Sequence, residues 1–133
     1  MTIRVTRDFN GRMRHDIEIG PHRLVTDTSV EEGGEGSGPN PHDLYDTALG
    51  ACKALTLLWY AQRNRIPVDN GEVAMERDAS QERAGIDRLS TEISLTGNLT
   101  GAQREELLKV AAKCPIHKLM PEVTTEISTS LSP

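Results

Sequence analysis

The hydrophobic and polar positions of the first third of the chain alternate as they do in β strands. Apolar residues alternate with polar ones at positions 3–5 and again at 17–19. Such alternation is typical of strands with one buried face. Asn10-Gly11 lies between these two runs and is a strong hairpin signal. Gly20-Pro21 then turns the chain toward Leu24-Val25. We therefore predict a three-stranded antiparallel meander.

Residues 41–64 have the pattern of one long, buried helix. Asn40 is a preferred N-cap, Pro41 suits the first helical position, and Asp43 places a carboxylate in the first turn. The helix would be about 36 Å long. Its middle is apolar on almost every face, with Lys53 as the only charge. Since a small domain cannot cover both sides of such a helix, the pattern predicts a homodimer, most simply with twofold symmetry.

The loop before this helix, residues 31–40, is rich in glycine and contains the sequence EEGGEGSGPN. A phosphate cradle, a flexible linker and a tight loop packed against a buried helix are the three interpretations. The loop lacks the phosphate-binding GxxxxGK[ST] pattern, and its glutamates would repel phosphate. A tight loop against a buried helix is therefore the favoured interpretation.

The second half predicts a hairpin followed by two helices and a final strand. Strands are expected around residues 73–76 and 89–95, joined by a polar turn. Thr100 and Gln103 form the capping box of a helix over about 101–113. Leu107, Leu108 and Ala111 would form its apolar face. A short helix would begin at Cys114-Pro115. Alternation over 123–131 predicts a last strand.

These elements indicate a single α+β domain over residues 1–133, with antiparallel sheets and a long buried central helix. The formal charge of −5 argues against a nucleic-acid partner, which requires a basic face. No apolar run approaches the ~20 residues of a membrane span, and the N-terminus lacks a signal-peptide pattern. We therefore expect a cytoplasmic protein, with no membrane partner. The two cysteines would be reduced there and suited to redox chemistry.

Cys114 is the cysteine with the more suggestive local sequence. It stands at a predicted helix N-cap before Pro115, where unpaired N–H groups and the helix dipole favour a thiolate. His117 follows one turn later and could lend a proton or a positive charge. The alternative is a small buried residue that only caps the helix. The local pattern leaves both interpretations open.

Cys52 lies in the middle of the long helix, where the backbone offers no free N–H group. Taken alone, it is more typical of a packing residue. Lys53 is expected to point to a different face. Cys52, Cys114, His42 and His117 could together supply two cysteine and two histidine zinc ligands, but their irregular spacing disfavours a metal site. We expect neither a metal nor a cofactor.

Two segments resemble one known family. Residues 33–68, with a glycine-rich loop, Asn-Pro and an apolar helix around a central cysteine, resemble the osmotically inducible / organic hydroperoxide resistance (OsmC/Ohr) family. So does KCPIHKLM at residues 113–120. With the matching order of strands, the resemblance covers nearly the whole chain. Its GPxP…LGAC motif most resembles that of the less characterised OsmC-like branch.

The resemblance implies an OsmC-like fold and an intertwined homodimer with its sites at the interface. It also implies that Cys52 attacks an organic hydroperoxide and becomes a sulfenic acid. Cys114 would condense with it to a disulfide, which a small thiol or a lipoyl-type dithiol would reduce. The protein would then be a peroxiredoxin-like antioxidant enzyme of oxidative stress, with Cys52 rather than Cys114 as the attacking thiol.

The site departs from the peroxidase members in two respects, a carboxylate and an arginine. These members carry a glutamate ten residues before the first cysteine, where this chain has His42, with Asp43 beside it. They also place an arginine near the thiolate, and Arg12 fits best, with Arg7 and Arg14 as rivals. The alternative function is therefore an OsmC-like stress or small-molecule binding protein without peroxidase activity. A zinc-binding protein is the third hypothesis.

Overall fold

The computed structural model describes residues 1–133 and contains two compact units. The first comprises Met1–Thr47 and the second Ala48–Pro133. Each unit is built from one antiparallel sheet and from helical segments. No helix is long and apolar enough to cross a membrane. The α+β class predicted from the sequence is confirmed.

The first unit contains the predicted three-stranded meander. Its strands are β1 (Ile3–Arg7), β2 (His15–Ile19) and β3 (His22–Thr26), hydrogen-bonded in the order β1-β2-β3. The β1–β2 connection is a loop over residues 8–14 rather than a two-residue turn at Asn10-Gly11. Arg14 pairs with Asp8 across the base of this loop at 2.9 Å, and their backbones are hydrogen-bonded there too. This ion pair closes the wider loop.

A buried carboxylate organises the glycine-rich loop. Asp27 is 3% exposed and accepts hydrogen bonds from the backbone N–H groups of Thr28, Glu35 and Ser37, and from the Ser37 hydroxyl. These bonds, the one from the Ser37 hydroxyl foremost, lower the pKa of Asp27 from 3.8 to about 2. A Cβ atom at Gly34 would collide with the Thr28 backbone and the Asp27 carboxylate. The loop is therefore tight, and several of its N–H groups already serve its own carboxylate.

The long helix α1 spans Pro41–Arg63, as predicted within one residue. Asn40 Oδ1 accepts a hydrogen bond from the Asp43 N–H at 2.8 Å, and Asp43 Oδ2 accepts one from the Asn40 N–H at 3.0 Å. This reciprocal pair satisfies two of the N–H groups that a helix start leaves unpaired. The helix begins in the first unit, and most of its length belongs to the second.

The second unit contains a hairpin and two further helices. Strands β4 (Val68–Asp78) and β5 (Arg88–Gly97) pair antiparallel, with Val73 opposite Ile93. Helix α2 spans Gly101–Ala112 and begins at the predicted capping box of Thr100 and Gln103. Helix α3 spans Pro115–Glu122. Short 3-10 turns occur in both units, and their ranges are Val30–Glu32 and Glu82–Ala84.

The core of the second unit lies between α1 and α2. Its buried members are Leu57, Ala61, Ile66, Leu107 and Ala111. The buried side chains of α1 recur every four residues from Leu49 through Leu57, which places them on one stripe of the helix. Burying a leucine completely stabilises the fold by roughly 1.5–3 kcal/mol. The leucines on both helices therefore fix how α1 lies on α2.

Two predictions for the second unit are wrong. Leu108 is 57% exposed, whereas Leu107 and Ala111 are buried, because the contact with α1 covers only the stripe that these two residues share. The last strand, predicted over 123–131, does not form, and Ile127 and Leu131 in this segment are largely exposed. An alternating pattern yields a strand only where a neighbouring strand supplies hydrogen bonds, and none pairs with this segment.

The opposite face of α1 is apolar but exposed within one chain. Leu55 is 69% exposed, Trp59 55% and Leu58 43%. Clustered apolar side chains at such exposure are typical of a protein interface. The sequence-based prediction of a homodimer therefore concerns this face first.

We predict that the chain sediments as a dimer at micromolar concentration and that Leu55→Lys shifts the equilibrium toward monomer. The lysine would have to place its charge in the apolar contact, which is strongly unfavourable. Analytical ultracentrifugation measures the shift. Ile86→Lys, at an apolar residue of the β4–β5 connection that is 46% exposed, is the matched control and should leave the dimer intact. A stable wild-type monomer would contradict the prediction.

Asp27→Asn should lower the melting temperature at neutral pH, because a neutral amide accepts the loop's hydrogen bonds less strongly than a carboxylate. Since the pKa of Asp27 is lower in the fold, its stabilisation is present above pH 3.8 and is lost as the pH falls toward 2. The difference in melting temperature between the wild type and Asp27→Asn should therefore become smaller as the pH falls over that range. Thermal melts at several pH values measure it. Asp69→Asn, at an exposed residue, is the control, and equal melting of all three proteins at pH 7 would refute the role of Asp27.

Candidate active site

Cys114 stands at the junction of α2 and α3. It is the N-cap of α3, with Pro115 at the first helical position, as the sequence predicts. It follows Leu107 and Ala111 on the same buried side of the chain, and none of its surface is exposed. The core contact that buries α2 therefore also buries this cysteine.

Cys52 approaches Cys114 from α1. Its side chain is half-buried, both cysteines are free thiols, and the Cys52 thiol is close enough to Cys114 to raise the pKa of that thiol. The contact arises because α1 carries Cys52 beside its buried stripe, while Cys114 follows the end of α2. The structure thus brings together the two cysteines that the sequence singled out.

Lys53 is the residue that the sequence analysis missed. It lies on the buried stripe of α1 and is only 3% exposed. Its ammonium Nζ donates a hydrogen bond to the carbonyl oxygen of Ala111 at 3.0 Å and lies 2.8 Å from Nδ1 of His117. An ammonium group can only donate, so Nδ1 accepts and the proton of a neutral imidazole sits on Nε2. Lys53 does point away from Cys52, as expected, but it points toward the surroundings of Cys114.

Burial and three neighbouring groups shift the pKa of the Cys114 thiol in opposite directions. Burial has the largest effect and raises its pKa. The backbone N–H of His117 lowers it, the Cys52 thiol raises it, and the charge of Lys53 lowers it. The net result is a raised pKa, so Cys114 is a protonated thiol at neutral pH. Of the two interpretations left open for Cys114, this direction favours a buried capping residue over a thiolate stabilised by the helix end, because burial outweighs the N–H groups of the helix.

The other predicted site residues lie in the first unit. Arg12 has an exposed side chain, and its backbone N–H donates to Glu35 Oε1 at 2.9 Å. Its rivals have partners nearby, since Arg14 pairs with Asp8 and Arg7 lies 4.9 Å above the ring of Phe9. Arg12 therefore remains the best candidate among the arginines of this loop.

His42 and Asp43 occupy the first turn of α1 in the first unit. His42 is exposed. The carboxylate of Asp43 accepts the N–H of Asn40, as described above, so capping the helix is its established structural role here. No group of three or more His, Cys, Asp or Glu side chains is placed to hold one metal ion.

An apolar cavity of about 180 Å³ lies between α1 and the β4–β5 hairpin of the second unit. Its lining includes Leu55, Leu57, Leu58, Val73 and Ile93. Leu55 follows Cys52 by three residues, which places it on the neighbouring turn of the helix. The cavity therefore shares one helix with Cys52, although its lining contains neither cysteine.

A family model described as OsmC-like protein matches residues 34–130, which is most of the chain. The chain belongs to the OsmC-like family. The matched range contains Cys52, Lys53, Cys114 and His117, and it excludes β1 to β3 and Arg12. No relative was found among the curated proteins.

Solved OsmC-like structures share the fold. A protein of Psychrobacter arcticus, described as an osmotic stress induced and detoxification response protein, is 22% identical, with a TM-score of 0.70 over 89% of this chain and 86% of its own. The organic hydroperoxide resistance protein of Legionella pneumophila is 22% identical, with a TM-score of 0.63 over 92% of this chain and 90% of its own. That of Bacillus subtilis is 22% identical, with a TM-score of 0.58 over 92% of each chain.

Proposed function

We propose that the protein is a thiol peroxidase that reduces organic hydroperoxides through Cys52 and Cys114. The observation that carries the proposal is the contact between a half-buried and a fully buried thiol in an OsmC-like fold. Structural neighbours of the chain include organic hydroperoxide resistance proteins, which supports a peroxidase or stress-related role.

In the first step, the thiolate of Cys52 attacks the outer oxygen of the hydroperoxide. The O–O bond breaks, an alcohol leaves after taking a proton, and Cys52 becomes a sulfenic acid. Cys114 then attacks the sulfenic sulfur, which forms the disulfide and releases water. Two electrons have passed from the thiol pair to the peroxide. A small thiol or a lipoyl-type dithiol restores both thiols by exchange.

The difference in exposure supports this order of attack. Cys52 is half-buried and can be reached, whereas Cys114 has no exposed surface. A protonated, buried Cys114 is a poor first nucleophile, since the thiolate is the reactive form. It is nevertheless placed to attack a sulfenic acid on Cys52. The apolar cavity beside α1 would suit the alkyl group of an organic hydroperoxide better than hydrogen peroxide.

The remaining parts of the proposed site are Arg12, His42 and Asp43. Arg12 would stabilise the thiolate of Cys52, with Asp43 or His42 holding its guanidinium in place. The exposed guanidinium is consistent with such a role toward a second copy of the chain. We also propose a cytoplasmic homodimer as the working form.

A stress or small-molecule binding protein without peroxidase activity is the second candidate function. The observation that favours it is His42, which stands where the peroxidase members that the chain resembles carry a glutamate. A histidine does not hold an arginine as a carboxylate does. The scaffold and its apolar cavity would then serve binding alone.

We expect Cys52→Ser to abolish turnover of an alkyl hydroperoxide, because it removes the attacking sulfur. Cys114→Ser should permit one round of oxidation, ending in a sulfenic acid at Cys52. A peroxide-consumption assay with dihydrolipoamide and trapping of sulfenic acid with a dimedone probe measure both outcomes. Label on Cys114 of the Cys52→Ser protein, with none on Cys52 of the Cys114→Ser protein, would reverse the assignment. A wild-type protein that consumes no peroxide would favour the binding function.

Arg12→Ala should slow both peroxide consumption and alkylation of Cys52 at neutral pH, because the thiolate loses its cation. The slowing is about tenfold if the lost interaction is worth about 1.4 kcal/mol. Rates of iodoacetamide alkylation between pH 5 and 9 measure the thiolate fraction. Arg4→Ala, which removes an exposed arginine of β1, is the matched control. Equal alkylation profiles for the wild type and Arg12→Ala would dismiss Arg12.

A further inference from the structure

We propose that Lys53 is a positioning residue of the thiol pair, whose buried ammonium stabilises Cys114 as the thiolate that leaves when a reductant opens the Cys52–Cys114 disulfide. The inference rests on the proposed function, since it concerns the reduction of that disulfide. It assigns a role to a cation that the α1 helix itself supplies.

The backbone around Cys114 fixes where the ammonium lies. The carbonyl oxygen of Ala111 accepts both the Lys53 ammonium at 3.0 Å and the backbone N–H of Cys114 at 3.4 Å. The second partner of Lys53 is His117, in the first turn of the helix that Cys114 caps. Cys114 therefore lies between Ala111 and His117 in the sequence, and the charge of Lys53 lowers the pKa of its thiol.

The charge of Lys53 is held by neutral groups. A carbonyl and an imidazole orient the ammonium, but neither compensates its charge. A buried, uncompensated ammonium is costly, and an anion formed beside it is correspondingly favoured. A thiolate at Cys114 would supply this anion. The charged and titratable groups facing Cys114 are Cys52 and Lys53 on α1 and His117 on α3.

Accessibility sets the direction of thiol exchange. An incoming thiolate can reach the half-buried Cys52 but not the fully buried Cys114. Attack on the Cys52 sulfur forms a mixed disulfide there, and the electron pair of the broken S–S bond passes to Cys114. A thiol that is more acidic leaves faster. The second thiol of a dithiol then releases Cys52, and the Cys114 thiolate takes up a proton.

The charge effect is tested first in Cys52→Ser protein, where Cys114 is the remaining thiol. Absorbance of the thiolate near 240 nm, followed against pH and corrected with a Cys52→Ser, Cys114→Ser protein that keeps the two tyrosines, gives the pKa of Cys114 without requiring access by a reagent. Adding Lys53→Met should raise this pKa by about one unit. Lys53→Gln keeps hydrogen-bonding capacity without charge and should cause the same rise, even if Lys53→Met fails to fold. Lys113→Met, which removes an exposed lysine next to Cys114, is the matched control and should cause no shift.

Reduction of the disulfide tests which sulfur the incoming thiol attacks and which sulfur leaves. Protein oxidised with diamide, with no peroxide present, is reduced by dihydrolipoamide in stopped flow, and Lys53→Gln should be about tenfold slower than Lys113→Met. Glutathione, trapped by acid quenching, should be found on Cys52 by mass spectrometry. An unshifted Cys114 titration in folded Lys53→Gln protein, or glutathione on Cys114, would overturn the inference. Because neither assay uses peroxide, a lack of peroxidase activity would count against the proposed function alone.

Discussion

The contact between α1 and α2 is the constraint on which the rest of the second unit depends. Leu57 and Ala61 on one helix belong to the same buried cluster as Leu107 and Ala111 on the other. Lys53 belongs to the same stripe of α1, one turn before Leu57, so packing of the leucines carries its ammonium into the interior. The cost of burying that charge, several kcal/mol without partners, is offset by leucine burial and by its two hydrogen bonds.

The parts of the fold that the sequence predicted are those that local interactions determine. The reciprocal bonds of Asn40 with Asp43 and of Thr100 with Gln103 join residues three apart, so their patterns can be read directly from the chain. The meander and the β4–β5 hairpin join neighbouring segments. The segment 123–131 failed because a strand also needs a partner, which alternation cannot supply. The local pattern also did not show how much of α2 the contact with α1 covers. That contact leaves Leu108 exposed.

The site divides in the same way between local and tertiary information. The helix start at Cys114 was predictable, but the acidity of its thiol was not, because burial depends on packing of α1 far away in sequence. The importance of Cys52 came from resemblance rather than from its own surroundings. Lys53 did leave a signal, since a single charge within an apolar helix must find partners when that helix is buried. Helical spacing alone placed it away from Cys52 and gave no hint of Ala111 or His117.

The opposing effects on Cys114 fit the task of a resolving thiol better than that of an attacking one. Burial keeps the sulfur protonated and out of reach of peroxide, so it is protected from oxidation beyond the disulfide. Nearby positive charge then matters only when an S–S bond opens and the sulfur must carry an anion. Cys52, which is half-buried and contacts Cys114, has the opposite requirements. As the attacking thiol it must be accessible to peroxide and must react as a thiolate. The contact between α1 and α2 can thus supply both an accessible thiol, Cys52, and a shielded thiol, Cys114. In the proposed reduction, Lys53 stabilises the thiolate of Cys114.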